Sequence, residues 1–232
     1  MSGNASTAFF SSWHTYQKVV DANHMFHREI SAQLRRFLAA RFSGRPVSIL
    51  DLGCGDAATV GTIVQDLELE RYKGVDLSEP ALALAAQNLG VIPCPVELVQ
   101  ADICAALSEE TGLFDVIYSS FSLHHLASEQ KAGVFRLAAK RLTENGMILL
   151  ADVMRAEDES LAVYYERYCS WLRKNFTALD MYEQDRLCDH IVTCDLPEPV
   201  SVLKSQARAA GFGTVQKIAR HNWHHLLCFS RN

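Results

Sequence analysis

Residues 49–57, Ile-Leu-Asp-Leu-Gly-Cys-Gly-Asp-Ala, decide the fold of this chain of 232 residues. An apolar run that begins at Val47 leads into a carboxylate and two glycines one residue apart. Apolar residues then recur at helical spacing from Val60 to Leu67. This pattern predicts a buried strand, a tight glycine turn and a helix capped by Asp56. Glycines let a backbone approach a ligand closely, and a helix start offers unpaired N–H groups, so the turn suits a nucleotide-like ligand.

Three more predicted strands end in polar side chains. The second strand ends in Asp76, the third runs from residue 96 into Asp102, and the fourth ends in hydroxyls that include Ser119. In a doubly wound sheet, an acid at the end of the second strand binds ribose hydroxyls, and ligands lie at the carboxyl ends of the strands. We therefore expect these side chains to face one ligand site.

Together these motifs resemble the class I S-adenosylmethionine (SAM) dependent methyltransferases. The matching stretches are Asp51-Leu52-Gly53-Cys54-Gly55, Val75-Asp76-Leu77-Ser78, Ala101-Asp102-Ile103, Phe114-Asp115-Val116-Ile117 and Asn145-Gly146-Met147-Ile148-Leu149-Leu150. The resemblance covers roughly residues 45–155, with a weaker match at 210–212. It implies a Rossmann-like, doubly wound α/β fold whose sheet is mainly parallel with an antiparallel last strand.

The order of predicted elements indicates one domain over residues 1–232. Residues 1–44 form an N-terminal arm and helices, with one helical pattern from residue 13 to 42, and residues 45–153 form the cofactor-binding core. Residues 154–199 show helical periodicity without a strand, which predicts a helical cap. Residues 200–232 supply the final helix and a strand pair.

The resemblance implies a site for the methionine part of the cofactor around the glycine turn. Gly53 and Gly55 should face the methionine part, and Asp51 should order the turn and a water near the ammonium group. Ser119, just past the fourth predicted strand, is expected to contact the same part through its backbone. The structural alternative for the two glycines is simply a tight strand-to-helix turn.

The same resemblance implies a site for the nucleoside part. Asp76 should accept both ribose hydroxyls, and Leu77 should pack against the adenine. Asp102 should accept from the adenine amino group with the Ile103 N–H nearby, although an exposed helix cap is an alternative role for Asp102. The cofactor is then SAM, the product is S-adenosylhomocysteine (SAH), and no metal is expected.

The sequence indicates less about the methyl acceptor than about the cofactor. The segment after the fourth strand lacks the Asn/Asp-Pro-Pro-Tyr/Phe motif, which argues against methylation of adenine N6 or cytosine N4. It carries instead Leu-His-His-Leu, whose His124 is a candidate for substrate contact or a part of the scaffold. His190 is the candidate general base because a histidine titrates near neutral pH. Candidate walls of an acceptor pocket lie on one helical stretch of the cap, unless they are core packing: Tyr164, Tyr165, Tyr168 and Trp171.

Composition narrows the class of partner. The net charge is −5, and no Lys/Arg cluster suggests a phosphate backbone, so nucleic acid is a poor expectation. The seven cysteines are odd in number and form no C-x-x-C pair, which favours reduced thiols in the cytoplasm over disulfides or a zinc site. Neither a secretory signal nor an apolar run long enough for a membrane is visible.

The sequence thus predicts a cytoplasmic enzyme, monomer or homodimer, that methylates an O or N atom of a small molecule by in-line displacement. An RNA or protein methyltransferase and a non-catalytic SAM-binding sensor or subunit remain alternatives. An NAD-dependent oxidoreductase is disfavoured because Ala58 stands where its fingerprint needs a third glycine.

Overall fold

A computed structural model describes residues 14–231 of the chain. The predicted N-terminal arm before the helical pattern, and Trp13 at the start of that pattern, lie outside the described residues. The described chain divides into two compact units, each treated by itself below. The sheet unit comprises residues 29–157 and 196–231, and the helical unit comprises residues 14–28 and 158–195. The expectation of a single domain stays a prediction.

The sheet unit contains a seven-stranded sheet in the order β3-β2-β1-β4-β5-β7-β6. The first five strands are parallel, and β7 pairs antiparallel with both β5 and β6. The predicted doubly wound fold with antiparallel last strands is therefore confirmed. The strands are β1 Val47–Leu52, β2 Leu69–Asp76, β3 Val96–Gln100, β4 Phe114–Ser120, β5 Leu142–Val153, β6 Thr214–His221 and β7 His224–Ser230.

Helices connect the strands and form the helical unit. They are α1 over 14–21, α2 His27–Arg41, α3 Val60–Val64, α4 Glu79–Asn88, α5 Ile103–Glu109, α6 Ser128–Ala139, α7 Leu161–Asn175, α8 Met181–Cys194 and α9 Val200–Ala209, with 3₁₀ turns at Leu89–Val91 and Leu123–His125. No helix within residues 14–231 is both long enough and apolar enough to cross a membrane.

The sheet unit is built around an apolar core. Every residue of β1 is buried, which is typical of a parallel strand covered on both faces. On one side of the sheet, the Phe135 ring meets the rings of Phe212 and Phe229 edge-on, at centroid distances of 6.2 and 4.9 Å. β1 and β4 pair in parallel, which brings their carboxyl ends to one edge of the sheet.

Two local predictions need correction. The helical pattern read as continuous from residue 13 to 42 breaks at residues 22–26, where Asn23 and Phe26 have φ values of 58° and 60°. Asp56 does not cap the first crossover helix: α3 begins at Val60, and the Asp56 carboxylate accepts from the Ala58 N–H at 3.1 Å instead. This Asx turn satisfies the chain before the helix starts.

The helical unit is held by aromatic stacking and a capped helix. The rings of His24 and Phe176 stack at 4.6 Å, which joins the N-terminal segment to the end of α7. Asp180 and Glu183 form a reciprocal capping box at the start of α8, with bonds of 2.8 and 3.0 Å. The ring stacking and the capping box both lie within the helical unit. The cap predicted over residues 154–199 stays a prediction.

Candidate functional site

The glycine turn closes over the carboxyl end of β2. The N–H groups of Gly53 and Cys54 both donate to the Val75 carbonyl, at 2.8 and 3.0 Å. Gly53 has a φ of +72° and Gly55 a φ of +54°, a region that L side chains rarely adopt. A Cβ atom on Gly53 would also lie 2.5 Å from the Cβ of Ser122. At Gly53, the positive φ and the close Ser122 side chain leave no room for a Cβ atom, so the turn passes directly against Ser122.

Asp76 links the turn to the end of β2. One carboxylate oxygen accepts from the Gly55 N–H at 2.9 Å, and the other accepts from the Ser78 N–H at 2.8 Å. These bonds fix the plane of the carboxylate. Leu77 follows directly and leaves 69% of its surface exposed. A fixed acceptor beside an exposed apolar side chain can bind a hydroxylated group attached to a flat apolar ring.

Asp51 is the most unusual group at this edge. It is buried, and its Oδ2 accepts a 2.7 Å hydrogen bond from the Tyr72 hydroxyl. Its Oδ1 is buried and has no hydrogen-bond partner among the described residues. Burial raises the pKa of Asp51 to about 7, opposed by the Tyr72 bond and assisted by the negative charge of Asp76. A buried acceptor without a donor is costly, so the site favours a ligand that brings a cationic donor.

Two serine hydroxyls contact Leu52, the residue that precedes the glycine turn. The Oγ atoms of Ser119 and Ser122 lie 2.9 and 3.0 Å from the Leu52 carbonyl oxygen, and 2.7 Å from each other. Ser119 lies inside β4 rather than just past it, and it is 1% exposed. Its side chain therefore braces the last residue of β1, and the expected backbone contact to a cofactor stays a prediction.

Asp102 stands at the start of α5, next to the same turn. Its Oδ1 accepts from the N–H groups of Cys104 and Ala105 at 2.8 and 3.1 Å, so Asp102 is the N-cap of the helix. The Ile103 side chain comes within 3.7 Å of the point where a Cβ on Gly53 would lie. Asp102 therefore does act as a helix cap, and capping uses one of its two carboxylate oxygens. The expected contact of Asp102 with an adenine amino group stays a prediction.

His124 is anchored to the sheet. Its Nδ1 lies 2.5 Å from Asp152 Oδ1, and its main-chain N–H donates to Asp152 Oδ2 at 3.0 Å. Both side chains are buried. The Leu196 N–H donates to the His124 carbonyl at 2.7 Å. These bonds give His124 a place in the scaffold, and its proposed contact with a substrate stays a prediction.

The predicted acceptor-binding aromatics all lie on α7 in the helical unit. Tyr164 is fully buried and stacks on Tyr168 at 5.3 Å, and Tyr168 meets Trp171 at 5.5 Å. The Tyr165 hydroxyl donates to the Asp195 carbonyl at 2.5 Å. These four residues pack as a cluster, which is the alternative that their helical spacing left open. Their role in binding an acceptor stays a prediction.

His190 lies on α8, in the same unit. Its side chain is 52% exposed, and its Nε2 is 3.9 Å from Asp195 Oδ1. A groove of about 670 Å³ runs between α7 and α8 and is lined in part by Tyr165, while His190 is not among its lining residues. The role of His190 as a general base stays a prediction.

Sequence reasoning missed three residues that shape the site: Tyr72, Ser122 and Asp152. Tyr72 lies within β2 and Ser122 follows β4, and neither belongs to a recognisable motif. Asp152 lies on β5, twenty-eight positions after His124, and only the sheet brings the two together. A signal existed for Tyr72, because buried tyrosines need a hydrogen-bond partner and Asp51 ends the neighbouring strand.

The chain is similar to known proteins over much of its length. A family model described as a methyltransferase domain matches residues 49–146. A carboxy-S-adenosyl-L-methionine synthase of Pseudomonas paraeruginosa is 26% identical over 78% of this chain and 73% of its own length. The mitochondrial ubiquinone biosynthesis O-methyltransferase of Saccharomyces cerevisiae is 25% identical over 54% of this chain and 40% of its own length.

Solved structures show the same fold. The magnesium protoporphyrin IX methyltransferase of Synechocystis PCC 6803 with bound SAH matches 97% of this chain and 94% of its own, with a TM-score of 0.65 and 15% identity. A cyclopropane synthase of Mycobacterium tuberculosis matches 82% of this chain and 62% of its own, with a TM-score of 0.57 and 18% identity. All the predicted cofactor residues fall within the segment that the family model matches.

Proposed function

We propose that the chain is a class I SAM-dependent methyltransferase and that it transfers the SAM methyl group to an O or N atom of a small organic molecule. One observation supports SAM as the cofactor in this proposal. The glycine turn, the fixed Asp76 carboxylate and the unsatisfied Asp51 oxygen lie together at the carboxyl edge of β1 and β2.

The residues fit each part of SAM. Asp76 presents carboxylate oxygens for the ribose diol, and the exposed Leu77 offers an apolar surface for the adenine. The orphaned Oδ1 of Asp51 suits the ammonium group of the methionine part. A Cβ on Gly53 would collide with Ser122, so the glycine lets the turn take the path that brings its backbone beside Asp76.

The bound cofactor supplies an electrophilic methyl group on a sulfonium sulfur. The protein must then hold the acceptor in line with the methyl group and keep water away, which lowers the barrier through orientation. We assign the orientation of the cofactor to Asp51, Gly53, Gly55 and Asp76, with Asp102 and Ile103 at the adenine. We assign removal of the acceptor proton, where one is needed, to His190.

Several features support a small acceptor over a macromolecule. The net charge of −5 gives no general attraction for a phosphate backbone. The segment after β4 lacks the proline-containing motif of enzymes that methylate exocyclic amines of bases. On α7, the half-buried Tyr165 and Trp171 offer apolar surfaces with polar edges that suit a small organic ring, and the buried Tyr164 and Tyr168 pack behind them.

A second candidate follows from the relatives. The carboxy-S-adenosyl-L-methionine synthase covers more of this chain than the ubiquinone biosynthesis enzyme does, 78% against 54%. In that case the same cofactor site would hold SAM as a substrate whose methyl carbon loses a proton and gains a carboxyl group from a second, carboxyl-donating substrate. The two candidates differ in product, since methyl transfer releases SAH and the alternative releases a heavier derivative of SAM.

The experiment uses SAM labelled on its methyl group. The purified protein is incubated with it and with a cell extract divided by size into metabolites and macromolecules. Asp76→Ala, which should lose the ribose contact, is the control. Mass spectrometry follows SAH and any carboxylated form of SAM in the same samples.

We expect a labelled metabolite other than SAM or a derivative of SAM, together with unlabelled SAH, and we expect both to be absent with Asp76→Ala. Label only in RNA or protein would replace the small-molecule proposal with a macromolecular acceptor. A carboxylated SAM without label transfer would support the second candidate. SAM binding without turnover in any fraction would favour a non-catalytic sensor.

A further inference from the structure

Tyr72 and Asp51 form a buried pair directly below the glycine turn. Tyr72 is 1% exposed and Asp51 is 2% exposed, and the hydroxyl donates to Oδ2 at 2.7 Å. Since a carboxylate has two oxygens, this bond fixes the rotation of the group and determines where Oδ1 points. Oδ1 is the oxygen without a partner among the described residues.

Gly74 makes room for this arrangement. It lies opposite Asp51 in the register of β1 and β2. A Cβ atom at this position would lie 3.2 Å from the Tyr72 ring and 2.9 Å from the Cys54 sulfur. The missing side chain therefore lets the tyrosine ring lie beside the strand end with its hydroxyl on the carboxylate. The absence of a side chain at position 74 therefore contributes to the geometry of the Tyr72–Asp51 pair.

The titratable groups that act on Asp51 and Tyr72 are all acids. Asp76 and Tyr72 come from β2, Tyr118 comes from the neighbouring β4, and Cys54 lies in the turn above. The side chains that approach this face from α2 and α3 are apolar, with Leu34, Leu38, Val60, Ile63 and Val64 around the Tyr72 ring. Burial and acidic neighbours both favour the protonated carboxyl group, and the Tyr72 bond is the contact that favours the ionised one.

We propose that Tyr72 is a positioning residue for the cofactor: its hydroxyl holds Asp51 so that Oδ1 receives the ammonium group of the methionine part, and binding therefore expels a proton from Asp51 to solvent. This inference rests on the proposed function, because it concerns the same cofactor site. Asp51 is protonated in part before the cofactor arrives. The incoming positive charge stabilises the carboxylate, and the proton leaves.

The pH dependence of binding follows from linkage. The binding-competent form of Asp51 is ionised, so affinity is full at pH values above the pKa of the free protein, which is about 7. Below that pH, the affinity should fall by up to about tenfold for each pH unit. Tyr72→Phe removes a contact that favours ionisation, so the bend in the affinity curve should move to higher pH.

The test is calorimetric titration of the full chain with SAH, which has the same ammonium group as SAM, between about pH 5.5 and 8. Each titration is run in two buffers of different ionisation enthalpy, so that protons released on binding are counted. The variants are Tyr72→Phe and Asp51→Asn. Ser48→Ala is the matched control, since it removes a 2.9 Å hydroxyl bond to another buried carboxylate, Asp115, near the amino end of β1.

We expect the wild-type protein and Ser48→Ala to release a fraction of a proton at pH 7 and to share one affinity curve. Tyr72→Phe should bind about five- to tenfold more weakly than wild type at pH 6 and approach wild type at pH 8. Asp51→Asn should release no proton and bind with little dependence on pH. Circular dichroism confirms that each variant is folded.

The outcomes separate this inference from the proposed function. If wild-type protein binds SAH and Tyr72→Phe has an unchanged pH curve and proton count, the positioning role of Tyr72 is wrong while SAM dependence stands. A uniform loss of affinity at every pH with Tyr72→Phe would indicate packing alone and would also overturn the inference. Failure of the wild-type protein to bind SAH would overturn both.

Discussion

The N–H of Gly55 donates to the carboxylate of Asp76 at 2.9 Å, and this bond joins the two motifs on which the cofactor site depends. One motif ends β1 and the other ends β2. The same carboxylate also accepts from Ser78 at the start of α4. A change in the turn is therefore transmitted to the group that should bind the ribose, so the two motifs act as one site.

Gly53→Ala should damage both stability and cofactor binding. Its Cβ would collide with Ser122 at 2.5 Å in a backbone that already has a φ of +72°. Gly44→Ala is the matched control, because Gly44 has a φ of +74° with nothing within 4 Å of the added atom. We expect Gly44→Ala to cost about 1–2 kcal/mol from backbone strain alone. Gly53→Ala should cost about 1–3 kcal/mol more from overpacking.

Urea denaturation and SAH titration measure both effects. Gly44→Ala should retain wild-type affinity for SAH, whereas Gly53→Ala should lose most of it. Equal costs for the two substitutions would mean that Ser122 moves aside without penalty, and the claim that no Cβ atom fits at position 53 would then fail.

Two substitutions of Asp102 should distinguish its role as a helix cap from its proposed contact with the adenine. Asparagine is as good an N-cap as aspartate, so Asp102→Asn should change stability by only a few tenths of a kcal/mol. Asp102→Ala should lose about 1 kcal/mol, because the bonds to Cys104 and Ala105 disappear. Both variants should bind SAH more weakly than wild type. Wild-type affinity in Asp102→Asn would show that the carboxylate is a helix cap alone.

Asp51→Asn should stabilise the cofactor-free protein at pH 8. Burial raises the folded-state pKa of Asp51 to about 7 from the ordinary aspartate value of about 3.8, so between these values the folded state binds more protons than the unfolded state. Stability therefore falls as pH rises through this window, and the cost is complete above it. Asparagine carries no charge to bury. We expect a gain on the order of 2–4 kcal/mol at pH 8 that disappears near pH 4.

Thermal unfolding across this pH range measures the gain. The same substitution should weaken SAH binding at pH 8, so stability and function should change in opposite directions. A variant less stable than wild type at pH 8 would show that the unsatisfied carboxylate is not a cost to the fold.

We expect His124 to stabilise the fold through the hydrogen bond between its Nδ1 atom and Asp152. The amide of His124→Asn places an N–H near the position of Nδ1 and can keep the bond to Asp152. His124→Ala removes the donor and leaves a buried carboxylate oxygen with less compensation. We expect His124→Ala to cost about 1–3 kcal/mol more than His124→Asn in urea denaturation. Equal losses for the two substitutions would show that the Asp152 bond contributes little.

Much of the sheet unit could be predicted because its signals are local. β1, its glycine turn and the acid at the end of β2 are contiguous in sequence, and periodicity distinguishes strand from helix. The break after α1 was missed because Asn23 and Phe26 take positive φ values that composition does not reveal. The start of α3 was missed because Asp56 satisfies the Ala58 N–H in a turn, four residues before the helix.

The site was harder to predict where it depends on register. The role of Tyr72 appears only when β2 lies beside β1 and the missing side chain of Gly74 leaves room for the ring. The bond between His124 and Asp152 likewise needs β4 and β5 to be neighbours. The aromatic stripe of α7 was visible in sequence, but periodicity cannot tell a packed cluster from the wall of a pocket.

The most direct test of the cofactor site is calorimetric titration of SAH into wild-type protein, Asp76→Ala and Asp66→Ala. Asp66 is a matched carboxylate of the same unit that pairs with Arg35 at the surface, at 2.6 Å. We expect wild-type protein and Asp66→Ala to bind SAH equally well and Asp76→Ala to bind at least about tenfold more weakly. Equal affinity in Asp76→Ala, or no binding by the wild-type protein, would contradict the assignment of this edge of the sheet as the SAM site.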